Sequence, residues 1–330
     1  MKFFEQIRHF LNEQSDFKAL FEDVAKQYGI PRFILKLDSI YCRFRYGSPT
    51  AQYIGFQFYR MNRYGRNQYM TDHRIKKVTK ILNNAPKEEK DILNKKHLFN
   101  RTFNEYIERK WIYVPEASEE DIYQFLKNNT EVIGKPDDKK KGEGIRKIHC
   151  AEVLNNFSVF LEQARREKLL MEQLIEQHTV LNCVNPTSVN TIRVCTVKDK
   201  NGNVNIFAAS LRAGGADSIV DNLHAGGAQY PIDPKTGIII RGGVQFDGKQ
   251  DICFHPSTNM KMIGLEVPNW NIVLNTVNGV AQKLNNIRYV GWDVAVTEDG
   301  CELIEANLSQ GCNGMQQDGA GKYKLIKQYY

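Results

Sequence analysis

The sequence predicts an α+β chain built on antiparallel sheets, and three observations carry that prediction. In mid-chain, "SVNTIRVCTVK" and "NVNIFAASLR" alternate apolar and polar residues about the turn "DKNGN", the pattern of a hairpin. Near the end, "GWDVAVTEDGCELIEANLSQG", residues 291 to 311, holds two more alternating runs around a short acidic turn. The order of strands and helices between and before these hairpins completes an α+β arrangement.

Each element follows from its local pattern. Residues 1 to about 30 read as amphipathic helix, with Phe3, Phe4, Ile7, Phe10 and Leu11 forming a stripe. Residues 41 to 70 are dense in Tyr and Arg; their spacing does not match the ribonucleoprotein motif, and a basic pocket for an anionic substrate is the better use. Residues 71 to 110 read as charged helix. "SEEDIYQFLKN" starts a helix that Ser118 caps and that Glu119, Glu120 and Asp121 favour at its positive end. "EVIGKP" is a short strand, followed by the loop "DDKKKGEGI" and another strand. Residues 151 to 168 read as one helix with Leu154, Phe157, Phe160, Leu161 and Ala164 inward, and "KLLMEQLI" as strand. Irregular, Gly-rich chain is expected from Ala213 to Gly227, within which "VDNLHAGG" falls, and a helix over 271 to 287.

Composition narrows the class. A chain of 330 residues is too long for one small core, so two or three subdomains are expected. No apolar run reaches the ~18 residues of a membrane span, and the charged start lacks a signal-peptide core. Seven scattered cysteines without a CxxC pair read as reduced packing thiols of a cytoplasmic protein, not as a disulfide frame or zinc site. The net charge of +7 suits anionic ligands such as nucleotides without calling for nucleic acid.

The chemistry concentrates in the last hairpin. A three-residue loop Glu298-Asp299-Gly300 would pair Thr297 with Cys301 and set Asp293 opposite Glu305. Cys301, Leu303, Glu305 and Asn307 would then share a face. Like charges across a ladder destabilise it, so either this face is solvated or a hard cation resolves the conflict. Two carboxylates and the Asn307 amide oxygen suit Mg²⁺ or Mn²⁺. Lys135 ends its strand before Pro136, ahead of a loop with Gly142 and Gly144 that can fold over phosphates, or serve as a basic surface turn. Glu172, in apolar surroundings, needs a partner: an adenine amino group or a neighbouring Lys. Arg193, mid-strand, suggests an anion or a buried carboxylate. Asn222, His224, Gly226 and Gly227 fall in irregular chain, and His224 is more often a loop donor than a base.

In this order the motifs resemble the ATP-grasp superfamily, in the branch associated with sugar transfer and polysaccharide biosynthesis. "VIGKP" with "GEGI", "MEQLIEQH", "SVNTIRV", "VDNLHAGG", "FHPSTN", "VPNW" and "GWDVAVTEDGCELIEANLSQG" carry the resemblance over roughly residues 91 to 322. It implies two α+β subdomains gripping ATP between antiparallel sheets: an N-terminal helical, aromatic-rich region over 1–90, a small subdomain with a glycine-rich lid over 91–175, and a metal-bearing subdomain over 176–330. By the same resemblance Lys135 and Lys96 bind ATP phosphates, with Lys95 a competing alignment for the latter. Gly142 and Gly144 belong to the lid. Glu172 and Leu174 meet adenine, and Glu176 and His178 compete for the ribose. Arg193 lies near the transferred phosphoryl group or the substrate anion, Asp293, Glu305 and Asn307 hold one or two Mg²⁺, and Arg212, Asn222, His224 and Gly227 face the acceptor. The implied activity is a carboxylate–amine ligase working through an acylphosphate, on small-molecule carboxylates and amines, sugar-linked ones included; the alternatives are a small-molecule kinase and a non-catalytic binding module. "NLSQG" lacks the Pro that many such ligases carry before that Gly. A homodimer is the default expectation.

Overall fold

The computed structural model describes residues 17–139, 142–215, 227–245 and 250–330; the stripe from Phe3 to Leu11, Asn222, His224 and Gly226 lie outside them. The described residues open with helices α1 (Lys18–Tyr28), α2 (Arg32–Tyr46), α3 (Thr50–Gly55), α4 (Arg63–Gln68) and α5 (Asp72–Leu82). The Tyr/Arg-rich stretch is therefore largely helical. Gly47 ends α2 at φ 66°, and a Cβ there would lie 2.2 Å from His73 Cβ, so both conformation and space require glycine. Phe21, Leu35, Tyr53, Phe58, Met70 and Val78 of this layer share one core with Val197, Phe207 and Tyr289.

Helices α6 (Lys87–Asn94) and α7 (Lys96–Thr102) lead into a four-stranded antiparallel sheet of β1 (Trp111–Tyr113), β2 (Glu131–Pro136), β3 (Arg146–His149) and β4 (Leu169–Gln173), in the order β1-β4-β2-β3. Trp111 pairs with Glu172. Helix α8 (Glu119–Lys127) starts as expected, the Ser118 side chain accepting the Asp121 N–H at 3.1 Å. The single helix expected over 151 to 168 is two, α9 (Cys150–Leu154) and α10 (Phe157–Arg166). They break at Asn155-Asn156, residues whose side chains compete with helical backbone bonding. Their inner residues pack with Val114, Ile122, Val132, Leu169 and Met171 in a separate cluster.

After α11 (Thr179–Val184) comes a six-stranded antiparallel sheet: β5 (Thr191–Lys198), β6 (Val204–Ala213), β7 (Ala228–Ile232), β8 (Val244–Gln245), β9 (Tyr289–Val296) and β10 (Cys301–Asn307), ordered β10-β9-β5-β6-β7-β8. Helix α12 (Trp270–Gln282) precedes β9, and α13 (Cys312–Met315) and α14 (Tyr323–Lys327) follow β10. Residues 228–232, to which the sequence assigns no element, pair with β6, Ser210 facing Pro231. Val273, Val277 and Val280 of α12 close one face of the sheet over Ile192, Val194, Leu211, Trp292, Val294 and Leu303. Among the described residues no helix is long and apolar enough to cross a membrane.

The last hairpin corrects the expected register in an instructive way. Val296, not Thr297, pairs with Cys301, so the loop is one residue longer. A bulge between Leu303 and Glu305 then adds one residue to β10 and restores Asp293 opposite Glu305. The bulge also divides the face expected to be shared: Cys301 and Leu303 join the core with Ala306, whereas Glu305 is exposed and Asn307 half-buried.

A candidate nucleotide site between the two sheets

A cavity of about 1330 Å³ lies between the sheets. Of the residues singled out from sequence, Lys96, Lys135, Gly142, Glu172, Leu174, Glu176, Arg193, Arg212, Asp293, Glu305 and Asn307 all line it. They come from both sheets, the first helices of the small one and the segment linking the two.

On the small-sheet side, Lys135 at the end of β2 pairs with Glu172 of β4. Arg109 Nη2 reaches the same carboxylate at 3.1 Å and Asn100 Nδ2 donates to it at 2.6 Å. Burial raises the Glu172 pKa, but the charges of Arg109 and Lys135 outweigh it and hold the carboxyl well below the usual range. The lysine that the sequence allowed as a partner of Glu172 is there, with Arg109 and Asn100 besides. Arg109 also donates to Glu302 Oε2 at 2.9 Å and to the Leu303 carbonyl at 2.8 Å, so one buried guanidinium ties β4 to β10. Sequence reasoning missed Arg109, which sits in the charged run "ERKW" and carries no local mark of burial.

Lys96, rather than the exposed Lys95, faces the cavity. Its amine donates to the carbonyls of Pro136 (2.8 Å) and Lys139 (2.7 Å), securing the base of the glycine loop. Gly142 and Gly144 have φ of 78° and 75°. Gly142 borders the cavity; Gly144 does not, and its missing Cβ would lie 2.9 Å from Pro136 Cγ. Glu176 lines the cavity, while His178 is turned to other work: its Nδ1 accepts the Val180 N–H at 3.1 Å, capping α11, and Nε2 lies 3.4 Å from Glu298. Gly227 also stands off the cavity, its Cα packed so that a Cβ would meet the Ala213 carbonyl at 2.4 Å.

The large sheet supplies a polar row. Glu305, Asp293, Arg193 and Ser210 are successive register partners across β10, β9, β5 and β6. Arg193 grips both oxygens of Asp293, Nη2 at 2.7 Å, and Arg212 Nη1 adds a contact at 3.2 Å. Burial raises the Asp293 pKa, but Arg193 and Arg212 outweigh it and leave it lowered. Glu305 behaves oppositely: crowding by protein and the Asp293 charge push it up to about 7, although the cavity gives it solvent. Asn307 Nδ2 donates to Glu305 Oε1 at 3.2 Å, so the amide oxygen is the end left for another ligand. Among the described residues no group of three or more His, Cys, Asp or Glu gathers as for a metal; the candidate set is two carboxylates and an amide. All three offer oxygen, the donor chemistry of a hard dication, with Arg193 and Arg212 already on Asp293.

A further wall was not foreseen in detail: Pro49, Ala51, Gln52 and Asp72 of the helical layer, with Gln229, Asn313 and Gly314. The Tyr/Arg-rich segment thus contributes three residues to the cavity, though none of its tyrosines or arginines.

The family model described as sugar-transfer associated ATP-grasp matches residues 118–328. No curated protein matches the chain. Among solved structures the chain is similar to the ATP-grasp ligase PsnB complexed with minimal precursor, at 14% identity and TM-score 0.43, over 74% of this chain and 62% of that one. It is similar to N5-carboxyaminoimidazole ribonucleotide synthetase from Thermotoga maritima at 11% identity and TM-score 0.45, over 79% and 56%. A third likeness is to D-alanine–D-alanine ligase from Bacillus anthracis, at 12% identity and TM-score 0.43, over 73% and 67%. The chain spans less than two thirds of the length of the PsnB chain it matches.

Proposed function

The chain belongs to the sugar-transfer associated ATP-grasp family, and from that premise we propose that it is an ATP- and Mg²⁺-dependent ligase joining a carboxylate to an amine through an acylphosphate. The observation that carries the reading is the facing of two charged sets across one cavity: Lys96, Lys135 and the glycine loop on one side, and the Glu305–Asp293–Arg193 row with Arg212 on the other.

In this reading the carboxylate substrate attacks the γ-phosphorus of ATP, ADP leaves, and the amine then displaces phosphate from the acyl carbon. No side-chain nucleophile is needed; positioning and charge neutralisation do the work. Lys135 offers the phosphates an ammonium whose place is set by Glu172, and Lys96 fixes the loop that closes over them. Leu174 and Glu176, on the segment linking the sheets, border the end of the cavity assigned to adenine and ribose. Arg193 and Arg212 face the charge that moves with the phosphoryl group. Glu305, Asp293 and Asn307 would hold Mg²⁺, which when bound offsets charge on the phosphate oxygens. Pro49, Gln52 and Asp72 bound the acceptor end. In this reading the substrates are sugar acids and amino acids of surface-polysaccharide assembly; the family's sugar-transfer description supports the sugar part.

The test is release of ADP and phosphate from Mg·ATP with pooled sugar acids and amino acids, hydroxylamine being added as a trap. ADP, phosphate and a hydroxamate together are expected. ADP formed only with hydroxyl acceptors, without phosphate or hydroxamate, would make the protein a kinase instead.

A further inference from the structure

We propose that the outward face of α2 is a docking surface for an anionic lipid bilayer. The inward face of this helix is ordinary: Leu35, Ser39, Cys42 and Tyr46 are buried at helical spacing. The outward face should then be polar. It instead carries Phe33, Ile34, Leu37, Tyr41 and Phe44, with Phe33 65%, Leu37 61% and Phe44 71% exposed. A contiguous row of large apolar side chains in water marks a surface that meets something else.

Charge says what that is. The same helix bears Arg32, Lys36, Arg43 and Arg45 and a single acid, Asp38. Asp38 is turned away from the row: Arg66 Nη1 and Nη2 donate to its two oxygens at 2.7 and 2.6 Å, and the Tyr53 hydroxyl donates at 2.9 Å. That ion pair ties α4 to α2 through Arg66 and takes the helix's single acid out of the row. Glu22 of α1 pairs with Arg32 at the far end. The surface is thus a set of aromatic and aliphatic tips framed by cations. A second copy docked about a two-fold axis would set one cationic frame against the other. An anionic bilayer matches both parts, the tips entering the headgroup boundary and the cations meeting lipid phosphates. The chain runs from α2 through Gly47 and Ser48 straight into Pro49, Ala51 and Gln52 of the cavity wall, so the surface adjoins the acceptor end of the site.

The full-length protein would be sedimented with vesicles of phosphatidylcholine alone and of phosphatidylcholine mixed with phosphatidylglycerol. Binding is expected only to the mixed vesicles and should weaken as salt rises. The variant Phe33→Ser/Leu37→Ser/Phe44→Ser should partition at least ~10-fold more weakly, and Arg43→Gln/Arg45→Gln should lose the preference for anionic lipid. Both should keep wild-type melting and Mg·ATP binding, which shows that they are folded. Absence of wild-type binding, or undiminished binding by the triple variant, overturns the proposal. So does a wild-type dimer that the triple variant dissociates, which would put a second copy on the patch. Binding gained only when residues 1–16 are removed would overturn it too, placing that segment there instead.

Discussion

Asp293 is the residue on which the site turns. It sits between Glu305 on one strand and Arg193 on the other, and Arg212 reaches it from β6. Asp293→Asn keeps its shape and removes its charge. Turnover should fall by roughly 10²–10³-fold, the scale of losing one electrostatic element at a reacting centre, while circular dichroism stays native; normal turnover would sink the metal assignment. Glu172 gives a second prediction, on stability. Its ordinary pKa is 4.5 and the folded value lies lower, held down by Arg109 and Lys135 against burial. The folded state therefore releases that proton more readily than the unfolded chain, so the stabilisation is complete above 4.5 and is withdrawn as pH falls through the folded value. Urea midpoints measured from neutral pH into the acid range should fall more steeply for wild type than for Glu172→Gln. Most of these residues could be read from the sequence because a charge within an apolar alternating run stands out, as Arg193, Glu172 and Asp293 do. Arg109 and Asn100 could not, since charged and amide side chains in a polar stretch look solvated whether or not folding buries them.

Elements were legible where two signals agreed. Ser118 with its acidic first turn gave the start of α8 correctly, and "DKNGN" gave the β5–β6 hairpin. Where a local rule ran against a tertiary contact, the contact decided: β7 forms despite Pro231, because the sheet supplies its partner on β6. The β9–β10 hairpin was right about Asp293 and Glu305 for an incomplete reason, since the longer loop and the bulge cancel in the register. No sequence pattern marks Ile304 as the extra residue. The glycine loop permits a comparison within one element. Gly144 and Gly142 both have positive φ, but only Gly144 is also short of space, against Pro136. Gly144→Ala should therefore weaken Mg·ATP binding more than Gly142→Ala, whose cost is the dihedral alone, about 1 kcal/mol; titration calorimetry on the two variants checks the order.

At the scale of the molecule, the six-stranded sheet serves three neighbours: α12 on one face, and the helical layer and the cavity elsewhere on its surface. The family match starts at residue 118, yet Val197, Phe207 and Tyr289 within it are covered by residues from α1 to α5. A chain cut to 91–330 should consequently aggregate or bind a hydrophobic dye, whereas an independent unit would give a soluble, cooperatively melting product. The resemblance, carried by residues from about 91 onward, gave no hint of this dependence, because the packing joins segments far apart in the chain, such as Val78 and Tyr289. The two-sheet construction has an optical consequence as well. Of the three tryptophans, Trp111 is half-buried on the small sheet as register partner of Glu172, and Trp292 is wholly buried on the large sheet next to Asp293. The first should emit to the red and be quenched by acrylamide; the second should emit to the blue and resist it. Each half of the grip thus carries its own lamp, the large one a second in buried Trp270, and a ligand that draws the sheets together should dim or shift the outer one while the inner two burn unchanged.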